Sequence, residues 1–364
     1  MKSKYTVFFL AASLVLLSCS KNEIDPIVPD MGPEIEFNNI TTKAVESIED
    51  IKEFEVSLAV TKDIVNPEYV LSLENEKVYR PTDGGKNVWT YDNTRYWMDG
   101  MYYYFVASYS YDMDSATKEN IGAFQIVKPE SGPLNYIGYS IDVNTDTEIP
   151  GENSRIDILT ASDYVYTNDE WTTSNVALSF SHLLTKINFR ISQDLTRDDI
   201  NEYYITKVSL EGVKNNGTYI LVPENGGFIG GWRFDEQASV SSYVKALETG
   251  YKLSAINPNT SKVESTPLLV WGEDGLLLIP QDIENGKVKI KVEYTHKYVD
   301  DDTNTEDVVV ERSIEAYVPK TDLWKSNNHI TYNISIANPN KIIFGNPTVE
   351  QWGKPQTGGM IIIK

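Results

Sequence analysis

The feature that most constrains the fold is an alternation of apolar and polar residues that returns along most of the chain. It is clear in "FEVSLAV" (54–60), "KVKIKVEYTHKYV" (287–299) and "HITYNISI" (329–336). Because successive side chains of a β-strand point to opposite faces of a sheet, a period of two is typical of half-buried strands. Turn residues such as "PTDGGK" and "ENGK" separate these segments. The sequence therefore predicts an all-β protein built of β-sandwiches.

Helices have little support in the pattern. No apolar period of 3.6 residues persists long enough to predict a major helix, and "DLTRDDINEYY" (194–204) is the best candidate for a short one. The chain has 364 residues, which is enough for two domains. We therefore expect two tandem β-sandwich domains, an N-terminal one over residues 34–172 and a C-terminal one over residues 173–364.

An aromatic strand is predicted over "MYYYFVASY" (101–109), after the turn at "DGM". One face of this strand would carry Tyr102, Tyr104, Val106 and Ser108. The other face would carry Tyr103, Phe105, Ala107 and Tyr109. Half of such a strand points inward, so the nearby aromatic residues are expected mostly in the core or lining a groove; they are Trp89, Tyr91, Tyr96 and Trp97. The alternative is an exposed platform that stacks against a sugar.

The segment "VALSFSHLLTKINFRIS" (176–192) changes phase in its middle. Its first half carries apolar side chains on the face of Val176 and Phe180, and its second half carries them on the face of Ile187 and Ile191. A slip of one residue moves every side chain of a strand to the other face. The sequence therefore predicts a bulge or bend near residues 184–186.

The N-terminus has the order of a bacterial lipoprotein signal. Lys2 and Lys4 precede the apolar run "YTVFFLAASLVLL" (5–17), which is too short to span a bilayer. Ser18 and Cys19 follow, as in a lipobox, so we expect cleavage between them and acyl chains on Cys19. An ordinary secretory signal with a chance cysteine is the alternative. Residues 1–18 would be removed, and the proline-containing residues 19–33 would form a flexible stalk.

Composition argues against several classes of function. The net charge of −21 disfavours nucleic-acid binding. Cys19 is the only cysteine, and no two of the three histidines have the spacing of metal ligands. We therefore expect no catalytic residues, no cofactor and no metal, hence no enzyme. His182 is expected to be a hydrogen-bonded core histidine, and the acidic loop "VDDDTNTED" (299–307) leaves only a weak calcium site open.

Several segments in order resemble the fimbrillin-like family, the type V pilus subunits that Gram-negative bacteria carry as surface lipoproteins. They are the lipobox, "WTYDNTRYWMDGMYYYFVASYS", "LSFSHLLTKINFRI", "LLLIPQ", and "WKSNNHITYNISI" followed by "VEQW". The resemblance implies two transthyretin-like β-sandwich domains and a structural or adhesive role at the outer membrane and in a pilus. It also implies that a surface protease specific for Arg or Lys removes the first strand, and that another subunit then donates a strand to the open groove.

Mapped onto this chain, the removable strand is "EIEFNNIT" (34–41), with Ile35 and Phe37 facing the groove. The cut would follow Lys43 and leave Ala44 at the new N-terminus; family members usually have Arg at that place. The regular part of the strand is expected over Glu34–Phe37, where apolar and acidic residues alternate.

The C-terminal residues Met360, Ile361, Ile362 and Ile363 are either a donor strand or the last strand of their own domain. Ser115, in "DSA", resembles an O-glycosylation acceptor of some gut bacteria. The expected partners are other pilus subunits, the outer membrane through the lipid on Cys19, and host or bacterial surface ligands. The alternative function is a surface lipoprotein that binds glycan and does not polymerise.

Overall fold

The computed structural model describes residues 32–42, 51–82, 88–112, 124–145, 156–168, 176–193, 202–234, 240–256, 263–299, 307–338 and 341–352. Within these ranges the chain forms 22 β-strands and no helix, so the all-β prediction is confirmed. The same ranges hold no helix of the length and apolar character needed to cross a membrane.

The strands, numbered in chain order, are β1 (Asn39–Thr42), β2 (Glu53–Thr61), β3 (Val70–Tyr79), β4 (Tyr102–Asp112), β5 (Gln125–Val127), β6 (Gly138–Asn144), β7 (Ile156–Tyr166), β8 (Ala177–His182), β9 (Thr185–Gln193), β10 (Glu202–Lys214), β11 (Asn216–Glu224), β12 (Gly227–Arg233), β13 (Val240–Lys252), β14 (Ser254–Ile256), β15 (Val263–Ser265), β16 (Leu268–Leu269), β17 (Leu276–Leu278), β18 (Lys289–Val299), β19 (Asp307–Tyr317), β20 (Asn328–Asn338), β21 (Lys341–Phe344) and β22 (Thr348–Gln351).

Four sheets build the body of the molecule, beside the short pair β14–β15. The N-terminal sheet has the order β1-β8-β7-β4-β2-β3, and the bridging sheet has the order β12-β11-β6-β5. The first C-terminal sheet has the order β13-β10-β18-β19. The second has the order β16-β9-β20-β21, with β17 paired to β9 and β22 paired to β20.

Strand β4 lies inside the N-terminal sheet and is buried on both faces, as its continuous aromatic composition requires. Tyr103 and Phe105 lie in one core cluster, whereas Tyr104 and Val106 lie in another. The predicted division of this strand into two faces is therefore confirmed. The first cluster is covered by the irregular segments 32–38 and 88–101, and the second is covered by the bridging sheet.

The second cluster also joins the N-terminal sheet to the C-terminal sheets. Tyr104 of β4 and Ile141 of β6 share it with Leu183 and Leu277, which lie next to or within the second C-terminal sheet. Beyond it, the two C-terminal sheets enclose the largest core, to which β9 contributes Ile187, Phe189 and Ile191. The C-terminal part is thus a β-sandwich.

The phase shift in residues 176–192 marks the place where the chain changes sheets. Strand β8 ends at His182 in the N-terminal sheet, Leu183 and Leu184 form a bend, and β9 begins at Thr185 in the second C-terminal sheet. The predicted bend is confirmed. The outward face of β9 is nevertheless covered as well, since Lys186 and Asn188 are buried.

Strand pairing crosses the expected domain boundary between residues 172 and 173. β8 follows that boundary but pairs with β1 and β7, and β11 pairs with β6. The division into residues 34–172 and 173–364 stays a prediction.

Two local expectations differ from the structure. The first regular strand is Asn39–Thr42 rather than Glu34–Phe37, because the earlier residues bond to the irregular segment around Arg95 instead of to a neighbouring strand. The short helix proposed for residues 194–204 is wrong for Glu202–Tyr204, which begin β10. There the Tyr203 ring stacks on His296 at 4.9 Å, and this packing outweighs the helix-like sequence.

Candidate functional site: the N-terminal segment and the groove that it fills

The N-terminal segment, residues 32–42, crosses one face of the N-terminal sheet and closes its core. Ile35 and Phe37 are 0% exposed and Ile40 is 8% exposed, whereas Glu34 and Glu36, which alternate with Ile35 and Phe37, face solvent. This alternation is the period of two expected for a chain with one buried face. The expectation that Ile35 and Phe37 face a groove agrees with their burial.

Phe37 is the centre of an aromatic cluster. Its ring meets Tyr91 at 5.4 Å, Phe105 at 6.1 Å and Phe54 at 6.2 Å, each edge to face. Edge-to-face aromatic pairs are worth about 0.5–1.5 kcal/mol each beyond the area that they bury. The ring therefore ties the segment to β2, to β4 and to the segment 88–101 together.

Backbone hydrogen bonds hold the first half of the segment against residues 95–97. The Ile35 amide donates to the Arg95 carbonyl at 2.8 Å, and the Trp97 amide donates to the Pro33 carbonyl at 3.0 Å. The buried Tyr91 hydroxyl donates to the Ile35 carbonyl at 2.9 Å and accepts from the Arg95 amide at 3.0 Å. The backbone of this half thus forms its hydrogen bonds with the irregular segment 88–101, which is one wall of the groove.

The second half of the segment is β1, the edge strand of the N-terminal sheet. It runs parallel to β8 through four pairs, from Asn39 with Ala177 to Thr42 with Phe180. On its other side, β8 pairs with β7 only through Ser181 and His182 in the described chain. Most of β8 therefore has β1 as its strand partner.

The irregular segment 88–101, which forms the wall of the groove, is attached to the sheet by contacts that do not involve the N-terminal segment. The Arg95 guanidinium donates to the Ser72 carbonyl at 3.0 Å, and the Met98 amide donates to the Tyr103 hydroxyl at 2.6 Å. Trp97 packs edge to face on Tyr103 at 4.6 Å. These bonds join the wall to β3 and β4, so the groove has a frame that does not depend on its occupant.

The aromatic residues around the groove are core and lining, as expected. Trp89, Tyr91, Trp97 and Tyr103 are buried, and only Tyr96 among the cluster is substantially exposed. A sugar-stacking platform built on Trp97 is therefore wrong, because its ring is packed inside the protein.

The other predicted site residues lie outside the described residues. They are Ser18, Cys19, Lys43, Ala44, Ser115 and the four C-terminal residues Met360, Ile361, Ile362 and Ile363. Residues 300–306 of the acidic loop also lie outside them. In the part of the chain that the structure describes, no group of three or more His, Cys, Asp or Glu side chains could hold a metal ion.

His182 is a hydrogen-bonded core histidine, as predicted. Its Nδ1 lies 2.8–2.9 Å from the two carboxylate oxygens of Asp157, which also accepts from the Tyr111 hydroxyl at 3.0 Å. The Trp352 ring stacks on the imidazole at 3.4 Å between centroids and 3° between planes. The sequence alone did not pair these four residues, because they come from four distant segments.

Lys186 and His329 lie next to this stack, on paired strands β9 and β20. Burial lowers the pKa of Lys186, and its ammonium lies 5.6 Å from the centre of the Trp352 ring. Burial and the nearby Lys186 charge lower the pKa of His329 to about 4. The arrangement closes the junction between the sheets.

Comparison with solved structures identifies the fold. The chain is similar to a fimbrial protein from Bacteroides vulgatus, with 17% identity, a TM-score of 0.56, and 88% of this chain and 99% of that chain covered. It is also similar to a candidate cell adhesion protein from Bacteroides ovatus, with 16% identity, a TM-score of 0.43, and 90% and 99% covered. The fold assignment rests on the first of these.

A third similar structure is the tip fimbrial protein Mfa3 from Porphyromonas gingivalis with a C-terminal truncation, with 14% identity, a TM-score of 0.29, and 88% and 100% of the two chains covered. Curated proteins contain no match to this sequence. The model of the family described as fimbrillin-like matches residues 42–352, and this chain therefore belongs to the fimbrillin-like family.

Proposed function

We propose that this protein is a structural or adhesive subunit of a cell-surface pilus, and that it assembles by exchange of the N-terminal segment for a strand of another subunit. The observation that carries the proposal is the attachment of that segment. The segment ends in the edge strand β1 and carries three buried apolar side chains along its length, and its groove has a frame of its own. An edge that exposes unpaired backbone groups is a template for a strand from another chain.

The energetics favour replacement of the segment over its simple loss. Burying a large apolar side chain is worth roughly 1.5–3 kcal/mol, so Ile35, Phe37 and Ile40 together contribute on the order of 5–9 kcal/mol before the entropy of ordering the segment is subtracted. Domains are stable by only about 5–15 kcal/mol in total. A trimmed subunit with an empty groove would therefore be close to unfolding, and an incoming strand would restore its core.

Maturation in this proposal begins at the membrane. Acyl chains on Cys19 hold the precursor at the outer membrane, with residues 19–33 as the stalk, and a protease cuts between Lys43 and Ala44, directly after the end of β1. The cut separates the fold from its lipid. We expect no catalytic activity and no cofactor.

The donor strand in this proposal is the C-terminal stretch Met360–Ile363 of a neighbouring subunit. Because side chains alternate along a strand, two of its four consecutive apolar residues would face the groove, in place of two of the three side chains that Ile35, Phe37 and Ile40 supply before the cut. Ser115 stays a proposed O-glycosylation acceptor.

Limited digestion with a lysine-specific protease tests the maturation step. We expect the wild-type protein to yield a new N-terminus at Ala44, and the matched variant Lys43→Gln to keep its N-terminal segment under the same conditions. Trimmed wild-type protein should then form head-to-tail oligomers or bind a synthetic peptide of residues 356–364. Wild-type protein that keeps residues 32–42 and stays monomeric would contradict the proposal.

Mass spectrometry of the protein from native cells tests the location. An acylated Cys19 indicates the anchored precursor, and Ala44 at the N-terminus indicates the matured subunit. A mature N-terminus that is neither of these, with no lipid attached, would contradict both steps.

A further inference from the structure

A cleft of about 490 Å³ opens where the bridging sheet meets the C-terminal sandwich. The side chains that shape it are Tyr219, Trp232 and Phe234 on one wall, and Asp282, Trp324 and Lys325 on the other. The N-terminal segment packs on the opposite face of the N-terminal sheet, in a different core cluster. The cleft is therefore separate from the groove that the segment fills.

Aromatic rings form the apolar part of the cleft. The rings of Tyr219 and Trp232, which face each other across β11 and β12, lie 5.4 Å apart with 57° between their planes. The Trp324 indole is 2% exposed and belongs to the C-terminal core, where its N–H donates to the Tyr332 hydroxyl at 2.9 Å. The apolar surface that is open to a ligand therefore comes from the half-buried rings of Tyr219 and Trp232, which lie at an angle to each other.

The walls are joined by hydrogen bonds, so the cleft is formed before any ligand arrives. The Gln281 side chain donates to the Lys214 carbonyl at 3.0 Å and accepts from the Lys214 amide at 3.1 Å. Its backbone amide donates to the Trp324 carbonyl at 3.1 Å. A preformed site avoids the entropic cost of ordering loops when a ligand binds.

The rim of the cleft is polar and carries both signs of charge. Asp282, Lys325 and Ser326 are exposed there. Lys325 makes only a 3.7 Å ion pair with Asp322, and both side chains of that pair are largely exposed to solvent. The rim thus has donors and acceptors for hydroxyl groups but no excess of charge.

We propose that this cleft binds a neutral saccharide residue of a glycan. A pyranose has apolar C–H faces that stack on aromatic rings, and hydroxyl groups around its edge that bond to carboxylate, ammonium and hydroxyl side chains. The cleft has this division between an apolar floor and a polar rim, and its volume is within the range of small-ligand sites, roughly 300–1,000 Å³. The net charge of −21 disfavours acidic polysaccharides.

The inference goes beyond the proposed function and does not depend on strand exchange, so it is tested on the untrimmed chain. The probes are mannohexaose, xylohexaose, maltohexaose and N-acetylchitohexaose, measured by calorimetric titration. We expect at least one probe to bind, and Trp232→Ala to raise its Kd at least tenfold. Tyr317→Ala removes a ring of the same class that is 57% exposed on β19 outside the cleft, and should leave the Kd unchanged.

Two further variants keep the test independent of folding defects. Ser326→Trp adds bulk at the exposed rim, and Asp282→Asn removes a rim charge; neither alters the core, and each should raise the Kd at least threefold with an unchanged thermal unfolding curve. No binding of any probe, binding only of sulfated or sialylated glycans, or a Kd that both rim variants leave unchanged would overturn the proposal. Binding that appears only in a chain ending at Trp352 would also overturn it, since the chain's own C-terminal segment would then be the occupant.

Discussion

The contacts of Phe37 exist only while the N-terminal segment is attached, so they distinguish an attached segment from a displaced one. Its ring is 0% exposed and touches Phe54, Tyr91 and Phe105. Truncating a buried phenylalanine to alanine costs about 3–5 kcal/mol. We therefore expect Phe37→Ala to lower the free energy of unfolding of the uncut protein by that amount in urea titrations, while Glu36→Ala, at the exposed neighbouring position, changes it by less than about 0.5 kcal/mol.

The same pair of variants bears on strand exchange. After cleavage at Lys43 the segment is held only by its contacts, so a loss of about 3 kcal/mol should speed its replacement by an added peptide on the order of a hundredfold. Fluorescence of a labelled donor peptide measures the rate. Equal exchange rates for Phe37→Ala and Glu36→Ala would show that Phe37 does not retain the segment.

His329 makes stability depend on pH in a defined window. Burial and Lys186 lower its pKa in the folded protein to about 4, from an unfolded value near 6.5. The unfolded chain therefore binds the proton first as the pH falls, so the stabilisation present above about pH 6.5 is lost between 6.5 and 4. We expect the loss of stability from pH 7 to pH 4.5 to be smaller by about 1–3 kcal/mol in His329→Gln than in wild type. Urea titrations of the two proteins at both pH values measure the difference. An identical loss of unfolding free energy from pH 7 to pH 4.5 in the two proteins would contradict the assignment.

At the scale of a single element, β10 contains a position that only glycine fits. Gly212 has φ +89°, and a Cβ there would collide with the carbonyl of Lys287, which lies just before the neighbouring strand β18; a break in the pairing register lies next to Gly212. We expect Gly212→Ala to destabilise the protein by at least about 3 kcal/mol, because strain and a backbone clash add. Gly231→Ala on β12 is the matched control, since its Cβ would have nothing within 4 Å. Equal unfolding midpoints for the two variants would refute this reading of β10.

Strands with a strong alternation of apolar and polar residues were predictable from the sequence, whereas the segments that they contact were not. The two faces of β4 follow from the alternation of Tyr103 and Tyr104, which needs no knowledge of the neighbours. The bend after His182 likewise follows from one slipped residue. The start of the first strand was misplaced because hydrogen bonds to Arg95, 60 residues further on, decide it.

The candidate sites depend still more on distant contacts. Tyr219, Asp282 and Trp324 reach one cleft from three separate segments. The stack of His182 on Trp352 joins residues 170 positions apart, and no local pattern indicates it. Sequence reasoning found the segment that fills the groove because that segment alternates by itself, whereas the cleft appears only when the sheets pack together.

On the scale of the whole molecule, Trp352 closes the junction between the N-terminal and C-terminal sheets. It stacks on His182, and its amide donates to the Asn327 carbonyl at 2.9 Å. We expect Trp352→Ala to speed hydrogen exchange at least tenfold in β8 and β22 without a comparable change in β10 and β18. Trp352→Phe, which keeps a ring over the imidazole, should restore most of the protection. Uniformly faster exchange in Trp352→Ala would indicate global destabilisation and no specific role at the junction.

The parallel pairing of β1 with β8 has a mechanical consequence for an anchored precursor. In the proposed lipid-anchored precursor, a pull directed along β1 would load the rungs from Asn39 to Thr42 together, in shear. A strand loaded from its side would instead peel away rung by rung at low force. Shear loading makes traction a poor way to open the groove, so in the proposed maturation the subunit would be released by hydrolysis of the peptide bond between Lys43 and Ala44.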